Sequence, residues 1–109
     1  MRIGKVIGTV TCSRLHPALV GGRFKLVVPL STERLATECW RGRNGSEMSS
    51  GAITAEPIVV YDEFGAGIGH LIAISEGAEA AVPFVPERKP IDAYDAAILD
   101  SVRLDPQVQ

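Results

Sequence analysis

The sequence contains few aromatic residues and no excess of positive charge. Aromatic side chains make up 6% of its 109 residues, and the formal net charge is −2. Proteins that bind nucleic acids usually present a basic surface, often with aromatic side chains on which the bases stack. The composition therefore argues against nucleic acid, and equally against an anionic membrane surface, as a partner.

Cysteines and long hydrophobic runs are also scarce. Cys12 and Cys39 form neither a C-x-x-C pair nor a zinc-site spacing, so we interpret them as ordinary reduced thiols. No apolar run approaches the roughly 18 residues that a membrane-spanning helix requires. The N-terminal segment MRIGKVIGTV lacks the features of a signal peptide. We expect a cytoplasmic protein with no membrane partner and a single domain over residues 1–109.

No group of side chains predicts catalysis or metal binding. His70 follows Asp62 and Glu63 along the chain, and an acid–base or metal site can be drawn from the three. A histidine without a second ligand nearby in sequence is more often structural, so we interpret His70 as the start of a strand and Asp62 as the cap of a turn. Nucleophile motifs such as G-x-S-x-G are missing. We therefore predict that the protein is not an enzyme and has no cofactor, metal site or catalytic residue.

The most informative stretch is 58–75, in which two short apolar runs flank the glycine cluster Gly65-Ala66-Gly67-Ile68-Gly69. The flanking runs are long enough for strands and too short for ordinary helices. A dinucleotide site needs G-x-G-x-x-G followed by a helix, whereas His70 stands at the sixth position here and a strand follows. We therefore favour a tight connection between two strands over a phosphate site. Because only glycine takes positive φ easily, we expect Gly67→Val to damage folding or assembly.

Two more strands are expected nearer the N-terminus, at 2–12 and 24–30. Gly4 and Gly8 lie within the first of them and predict a sharply coiled strand or the close approach of another backbone. Between the two strands, Gly21-Gly22 predicts a turn. The N-terminal part of the chain therefore indicates two strands joined by a connection.

The C-terminal part is punctuated by Gly77 and by several prolines. We expect Gly77 to end the strand that begins at Leu71, and the alanines after it to form one helical turn. The prolines favour an extended segment over 82–90. Over 91–104, apolar side chains recur at helical spacing, so composition alone predicts a helix there.

Residues 31–56 show no sustained hydrophobic period. Glycine and serine are frequent in this part of the chain, which is typical of a flexible loop. We interpret 31–56 as a long loop insertion, which should tolerate a deletion of about ten residues within 41–51, and 105–109 as a flexible tail. Trp40 is compatible with an exposed anchor and with local packing on the same domain.

Three segments stand out by their order along the chain. They are GKVIGTVTCSRLHPALVGGRFKLVVPL, then VVYDEFGAGIG with an aspartate before G-A-G-x-G, and finally KPIDAYDAAILDSV. Together they resemble the pentameric vertex proteins of bacterial microcompartment shells, a family known from carboxysomes and ethanolamine-utilisation compartments. The resemblance implies a mainly β fold, a small OB-like closed β-barrel of about five strands with a short helical turn. It also makes 96–104 a strand after a turn at Pro90–Ala93, which we prefer to the helix that the spacing predicts.

The resemblance implies a structural function. Homopentamers would cap the fivefold vertices of a shell built mainly from hexameric microcompartment shell proteins, with a narrow axial pore for small metabolites. Such a ring needs apolar surface beyond the core, and a 46% hydrophobic composition supplies it. The resemblance places the glycine motif at the pore or between protomers, with Asp62, Gly65, Ala66, Gly67 and Gly69. Further candidates for the protomer interface are Lys5, Gly8, Thr9, Pro90, Asp92 and Ala93.

The chain also departs from the family pattern. No arginine closely follows Gly77, His70 stands where an acidic residue is common, and Asp95 interrupts a normally apolar run. Two alternatives from other functional classes stay open, an OB-like module for single-stranded nucleic acid and a small nucleotide-binding domain built on the glycine cluster. The charge and the few aromatic residues argue against the first, and the missing helix argues against the second.

Overall fold

The computed structural model of the protein describes residues 1–41 and 55–105. This part of the chain contains the strands β1 (Arg2–Val10), β2 (Arg23–Pro29), β3 (Ile58–Asp62), β4 (Leu71–Glu76) and β5 (Ala93–Ile98). Helix α1 (Thr32–Arg41) follows β2, and 3₁₀ helices span Pro17–Leu19 and Gly77–Phe84.

The strands close into a barrel in the order β1-β2-β3-β5-β4. Neighbouring strands are antiparallel except β3 and β5, which are parallel and have a single register pair, Tyr61 with Tyr94. β1 pairs with β2 on one side and β4 on the other, and its register with β2 shifts between Val6 and Gly8. The predicted mainly β fold, a small closed barrel with little helix, is confirmed.

The interior of the barrel is filled by β-branched side chains. Val6, Val27, Val60, Ile72 and Ile74 are each 0% exposed and belong to one cluster. They point inward because successive side chains of a strand face opposite sides of the sheet. Burying one such side chain stabilises a fold by roughly 1.5–3 kcal/mol, so this cluster makes a large contribution to stability.

Gly4 marks a very close approach within this core. A Cβ atom at Gly4 would lie 2.5 Å from Cγ1 of Val27 and 2.6 Å from Cδ1 of Ile74. At Gly8, which lies where the register shifts, the nearest atom would be Cβ of Leu26 at an ordinary 3.7 Å. The two glycines of β1 therefore differ, since Gly4 is required by packing and Gly8 accompanies an irregularity of the strand.

Aromatic rings in edge-to-face contact cover the outside of β2, β3 and β5. Phe24 contacts Tyr61, Tyr61 contacts Phe84, and Phe84 contacts Tyr94, with ring centroids 5.7, 5.7 and 5.2 Å apart. Gly22 leaves room for Tyr61, because a Cβ atom there would lie 2.1 Å from the ring. Phe84 ends the longer 3₁₀ helix, so these rings attach the β4–β5 connection to the barrel.

Lys89 joins the same connection to the loop between β1 and β2. Its Nζ lies 4.9 Å from the ring centroid of Phe84 and 5.4 Å from that of Tyr61. It also donates a hydrogen bond to the backbone oxygen of Ala18. In that loop, Gly21 has a φ of +99°, so the turn predicted at Gly21-Gly22 is confirmed.

Helix α1 corrects the prediction of a loop at the start of 31–56. Ser31 begins the helix, since its Oγ accepts the N–H of Arg34 at 3.3 Å and its carbonyl oxygen accepts the N–H of Leu35 at 2.8 Å. Leu35 is 8% exposed and gives the helix a buried side. Glycine and serine farther along the stretch obscured this short amphipathic segment. Residues 42–54 and 106–109 and the side chain of Trp40 lie outside the described part, so the predictions made for them stay predictions.

The C-terminal segment is a strand, so the helix that its spacing predicts is wrong. The strand implied by the family resemblance is confirmed with different bounds, since β5 spans Ala93–Ile98 and not 96–104. Pairing with β4 satisfies the backbone of this segment and decides against the helix. Gly77 ends β4 with a φ of +72°, as predicted, and the helical turn after it extends to Phe84 as a 3₁₀ helix. The segment predicted to be extended over 82–90 is therefore helical at its start.

Gly4→Ala is expected to lower the free energy of unfolding by roughly 1–3 kcal/mol, because the added methyl group overlaps Val27 and Ile74. Gly8→Ala makes the same change in the same strand and should alter it by less than about 1 kcal/mol, since its methyl group meets only ordinary contacts. Urea-induced unfolding at equal protein concentration measures both effects. Equal effects at the two positions would contradict the packing described at Gly4.

Candidate functional site

The glycine loop, residues 62–70, joins β3 to β4. These strands are not neighbours, because β5 lies between them in the barrel. The loop therefore reaches from β3 towards β1, where it bonds to Val6, and does not form a hairpin. The predicted connection between two strands is confirmed, although the strands that it joins are not paired with each other.

Asp62 holds the first half of the glycine loop. The residue is 1% exposed, its Oδ1 accepts the N–H of Phe64 at 2.9 Å, and its Oδ2 accepts the N–H of Ala66 at 2.8 Å. Ala66 is itself 1% exposed and packs into the core cluster. Asp62 therefore caps the turn, as predicted, and its carboxylate ties the loop to the barrel interior through hydrogen bonds to backbone donors.

The second half of the loop is held by β1 and by His70. The N–H of Gly69 donates to the carbonyl oxygen of Val6 at 2.8 Å, and the N–H of Val6 donates to that of His70 at 3.0 Å. The Nδ1 of His70 accepts the N–H of Gly67 at 2.9 Å. His70 precedes β4 directly and orients the loop, so its predicted structural role is confirmed.

Positive φ angles occur at Gly65, with +81°, and at Gly69, with +93°, but not at Gly67. A Cβ atom at Gly67 would meet Cε1 of His70 at 3.6 Å, which is ordinary contact. The reason given for a damaging Gly67→Val substitution, a positive φ, is therefore wrong for this position. The dihedral angle constrains Gly65 and Gly69 instead.

The backbone donors of the glycine loop are used by the protein itself. A phosphate site needs several free N–H groups pointing at the ligand. Here the N–H groups of Phe64 and Ala66 donate to Asp62, that of Gly67 to His70, and that of Gly69 to β1. The close neighbour of the loop in this chain is its own barrel, and this geometry does not favour a nucleotide.

A second buried carboxyl group, that of Asp95, lies inside the barrel on β5. The residue is 0% exposed, and its Oδ1 accepts the N–H of Ala97 at 3.1 Å, whereas its Oδ2 is buried without a hydrogen-bond partner. Burial, together with the adjacent carboxyl group of Asp62, raises the pKa of Asp95 from an ordinary 3.8 to about 7. Burial and the nearby acidic groups also raise the pKa of Tyr94.

Sequence reasoning missed this pair. The signal was the aspartate that interrupts an apolar run at position 95, but its partner lies 33 positions earlier in the chain (95 − 62 = 33). Only the pairing of β3 with β5, through Tyr61 and Tyr94, brings the two carboxyl groups together.

The predicted interface residues fall into two separate groups. On β1, Lys5, Gly8 and Thr9 are in register with β2. At the other group, the carbonyl oxygen of Asp92 accepts the N–H of Gly77 at 2.9 Å, and Ala93 is 5% exposed within the core cluster. The second group leads into β5, which β4 separates from β1 in the barrel, and Pro90 is exposed. Their place in an interface stays a prediction.

The glycine loop also exposes large apolar side chains. Phe64 is 54% exposed and Ile68 is 72% exposed. Within residues 1–41 and 55–105, no cluster of three or more His, Cys, Asp or Glu side chains is placed to hold a metal ion. No helix in these same ranges has the length and apolar character to cross a membrane. The exposed apolar side chains of Phe64 and Ile68 give the glycine loop a surface that is typical of contacts between proteins.

The sequence matches known proteins along most of its length. The family described as ethanolamine utilisation protein EutN/carboxysome matches residues 1–100. The carboxysome shell vertex protein CcmL of Gloeobacter violaceus is 30% identical over 105 residues, which cover 96% of this chain and 88% of that protein. The bacterial microcompartment shell vertex protein GrpN of Rhodospirillum rubrum is 33% identical over 102 residues, which cover 94% of this chain and 96% of that protein.

Solved structures show the same likeness. The structure of Gloeobacter violaceus CcmL has a TM-score of 0.70 at 28% identity and covers 96% of this chain and 91% of its own. GrpN from Rhodospirillum rubrum, described as a pentameric microcompartment shell protein, has a TM-score of 0.68 at 28% identity and covers 96% of this chain and 100% of its own. Both the barrel and its connections are therefore similar to those of shell proteins.

Gly69→Ala is expected to lower the free energy of unfolding by roughly 1–2 kcal/mol, because a φ of +93° is strained for any residue with a Cβ atom. Gly67→Ala should cost less than about 1 kcal/mol, since its φ is not positive and its methyl group meets only His70. Thermal or urea unfolding of the two variants measures this difference. A larger loss at Gly67 than at Gly69 would show that the loop has another geometry.

Proposed function

The chain belongs to the ethanolamine utilisation protein EutN/carboxysome family, and from this membership we propose that it is a structural shell protein of a bacterial microcompartment. In this proposal it forms homopentamers that cap the fivefold vertices of the shell. One observation carries the proposal, the match over nearly the whole chain to GrpN, a shell vertex protein whose structure is pentameric. CcmL of Gloeobacter violaceus, a second relative, is likewise a shell vertex protein.

The placement of the candidate interface residues supports a ring. In a closed cyclic assembly, two different surfaces of each protomer meet, one from each neighbour. The group Lys5, Gly8 and Thr9 lies on β1, and the exposed residues Pro90 and Asp92 lie before β5, which β4 separates from β1. We assign one group to each side of the protomer.

The glycine loop supplies the apolar part of this interface in our proposal. Asp62 and Ala66 are 1% exposed, so they shape the loop and do not meet the neighbour. Phe64 and Ile68 are exposed and point away from the core, so they provide the surface that a neighbouring protomer or the axial pore covers. The conformations of Gly65 and Gly69 hold these two side chains outward.

The remaining parts of the proposal follow from a vertex position. In this proposal the pentamer contacts hexameric shell proteins at its rim, forms part of the shell of a microcompartment in the cytoplasm, and leaves a narrow axial pore for small metabolites. Shell closure needs no catalytic group, cofactor or metal, so we propose that the protein is not an enzyme. Neither alternative gains support, because the relatives are shell proteins and the glycine loop uses its own backbone donors.

Native mass spectrometry of the purified protein is expected to show an assembly of five chains. A clean monomer or a hexamer would contradict the proposal. The measurement needs no knowledge of the enclosed pathway and depends on the assembly alone.

The same measurement locates the interface. Ile68→Asp is expected to shift the population from pentamers to monomers, because it puts a charge into the proposed apolar contact. Val85→Asp is the matched control, since Ile68 and Val85 are 72% and 71% exposed but only Ile68 lies on the glycine loop. If Val85→Asp dissociates the ring and Ile68→Asp does not, the glycine loop is not the contact.

A further inference from the structure

The inside of the barrel contains two carboxyl groups that have no role in the proposed contacts between protomers. Asp62 is 1% exposed and Asp95 is 0% exposed. A buried carboxylate normally has a cationic partner or several hydrogen-bond donors, because transfer of an isolated charge out of water is very unfavourable. Asp95 also stands in a run that is otherwise apolar, between the inward-facing Ala93 and the end of β5. The position therefore needs an explanation of its own.

The two residues lie at the seam between β3 and β5. This seam has a single register pair, Tyr61 with Tyr94, whereas the other neighbouring strands share several. Asp62 and Asp95 each follow one member of that pair, so their side chains face the other way, into the barrel. The outer side of the seam is covered by the ring of Phe84, which contacts both tyrosines.

The hydrogen bonds around the pair leave one atom without a partner. Asp62 accepts the N–H groups of Phe64 and Ala66, and Oδ1 of Asp95 accepts that of Ala97. The remaining oxygen, Oδ2 of Asp95, is buried and accepts no hydrogen bond. A proton on this oxygen would turn it into a donor to the Asp62 carboxylate and would remove one of two adjacent buried charges.

Charged groups from the surrounding elements do not replace this proton. The titratable groups at the seam besides the pair are Tyr61, Tyr94, Glu63, Arg23, Lys25 and Lys89. Arg23 is exposed and is the register partner of Asp62 on β2. Lys89 donates a hydrogen bond to the backbone oxygen of Ala18 and lies over the ring of Tyr61 on the outside of the barrel. Lys25, on β2, is 7% exposed and is not among the groups that shift the pKa of Asp95. On β4, the register partner of Asp95 is Ile74, which is apolar.

We propose that Asp62 and Asp95 share one proton inside the barrel, and that this proton closes the β3–β5 seam and, through Asp62, holds the glycine loop. Loss of the proton leaves two buried negative charges at the seam and loosens both. The pair lies within one protomer, so the inference does not rest on the proposed function.

The direction of the pH effect follows from linkage. In the unfolded chain Asp95 loses its proton near an ordinary pKa of 3.8, whereas in the folded protein it keeps the proton until about pH 7. The folded state therefore binds more protons than the unfolded state between these values. The contribution of the pair to stability is fully present below the lower value, falls as the pH rises between the two, and is lost above the higher one.

Asp95→Asn is the test variant, because asparagine keeps a donor to Asp62 at every pH. Urea unfolding gives the equilibrium constant for folding at each pH from about 4 to about 8. Over this range, the constant of the wild type is expected to fall by a factor at least about ten times larger than that of Asp95→Asn. Asp100→Asn, which changes an exposed aspartate just after β5, is the control, and its stability should depend on pH as that of the wild type does. The variant is compared with the wild type at each pH, because a second group also makes stability depend on pH. Arg2 lowers the pKa of Glu76, so the contribution of Glu76 to stability increases as the pH rises through the acidic range, opposite to that of Asp95. Parallel slopes for the wild type and Asp95→Asn would overturn the proposal.

A direct measurement keeps the proposal testable if Asp95→Asn does not fold. In the wild-type protein labelled with ¹³C at the aspartate Cγ positions, one carboxyl resonance should titrate with a midpoint near pH 7. Above that pH, the protection of the amides of Phe64, Ala66 and Ala97 against hydrogen exchange should fall, so that their exchange rates rise with pH more steeply than the intrinsic rates. Asp95→Val, an apolar alternative at the same position, should remove both effects. If every aspartate titrates in the ordinary acidic range, no shared proton exists.

Discussion

The barrel depends on how the parallel seam between β3 and β5 is closed. Every other neighbouring pair of strands has an antiparallel ladder, while this seam has one register pair, Tyr61 with Tyr94. Contacts between side chains therefore hold the two strands together where the backbone provides few hydrogen bonds. Outside, Phe84 packs against both tyrosines, and inside, Asp62 and Asp95 face each other. A barrel has no free edge only if all its seams hold, so these few contacts decide whether the sheet is closed.

The glycine loop depends on this seam because Asp62 belongs to both. Its carboxylate accepts two backbone N–H groups of the loop while its side chain lies at the seam. The glycines permit the turns, and the conformation is fixed because Asp62, His70 and Val6 accept hydrogen bonds from four N–H groups of the loop. This distinguishes the loop from a phosphate site of similar composition, in which such donors stay free for the ligand. A loop that is satisfied internally is suited to present side chains such as Ile68 to another protein.

The strands β1 to β4 were predictable because each contains β-branched residues and has glycine or proline within it or close to its ends. The helix α1 was not, because a short amphipathic segment next to many glycines and serines gives a weak periodic signal. The segment of β5 was ambiguous, since its apolar residues fit a helix as well as a strand. Its conformation was decided by the unpaired edge of β4, which provides hydrogen bonds to a strand and not to a helix. Local spacing cannot contain that information.

The amino-acid sequence alone determined the position of the glycine turn and the capping role of Asp62, and its three ordered segments carried the family resemblance that implied the closed barrel. The turn and the cap are local, because they depend on glycine dihedral angles and on hydrogen bonds between residues close in the chain. The tertiary structure decided that Gly4 and not Gly8 is packed tightly, that Gly67 is free of strain, and that Asp95 meets Asp62. Each of these depends on which strands become neighbours, since contacts between distant residues exist only once the barrel has closed.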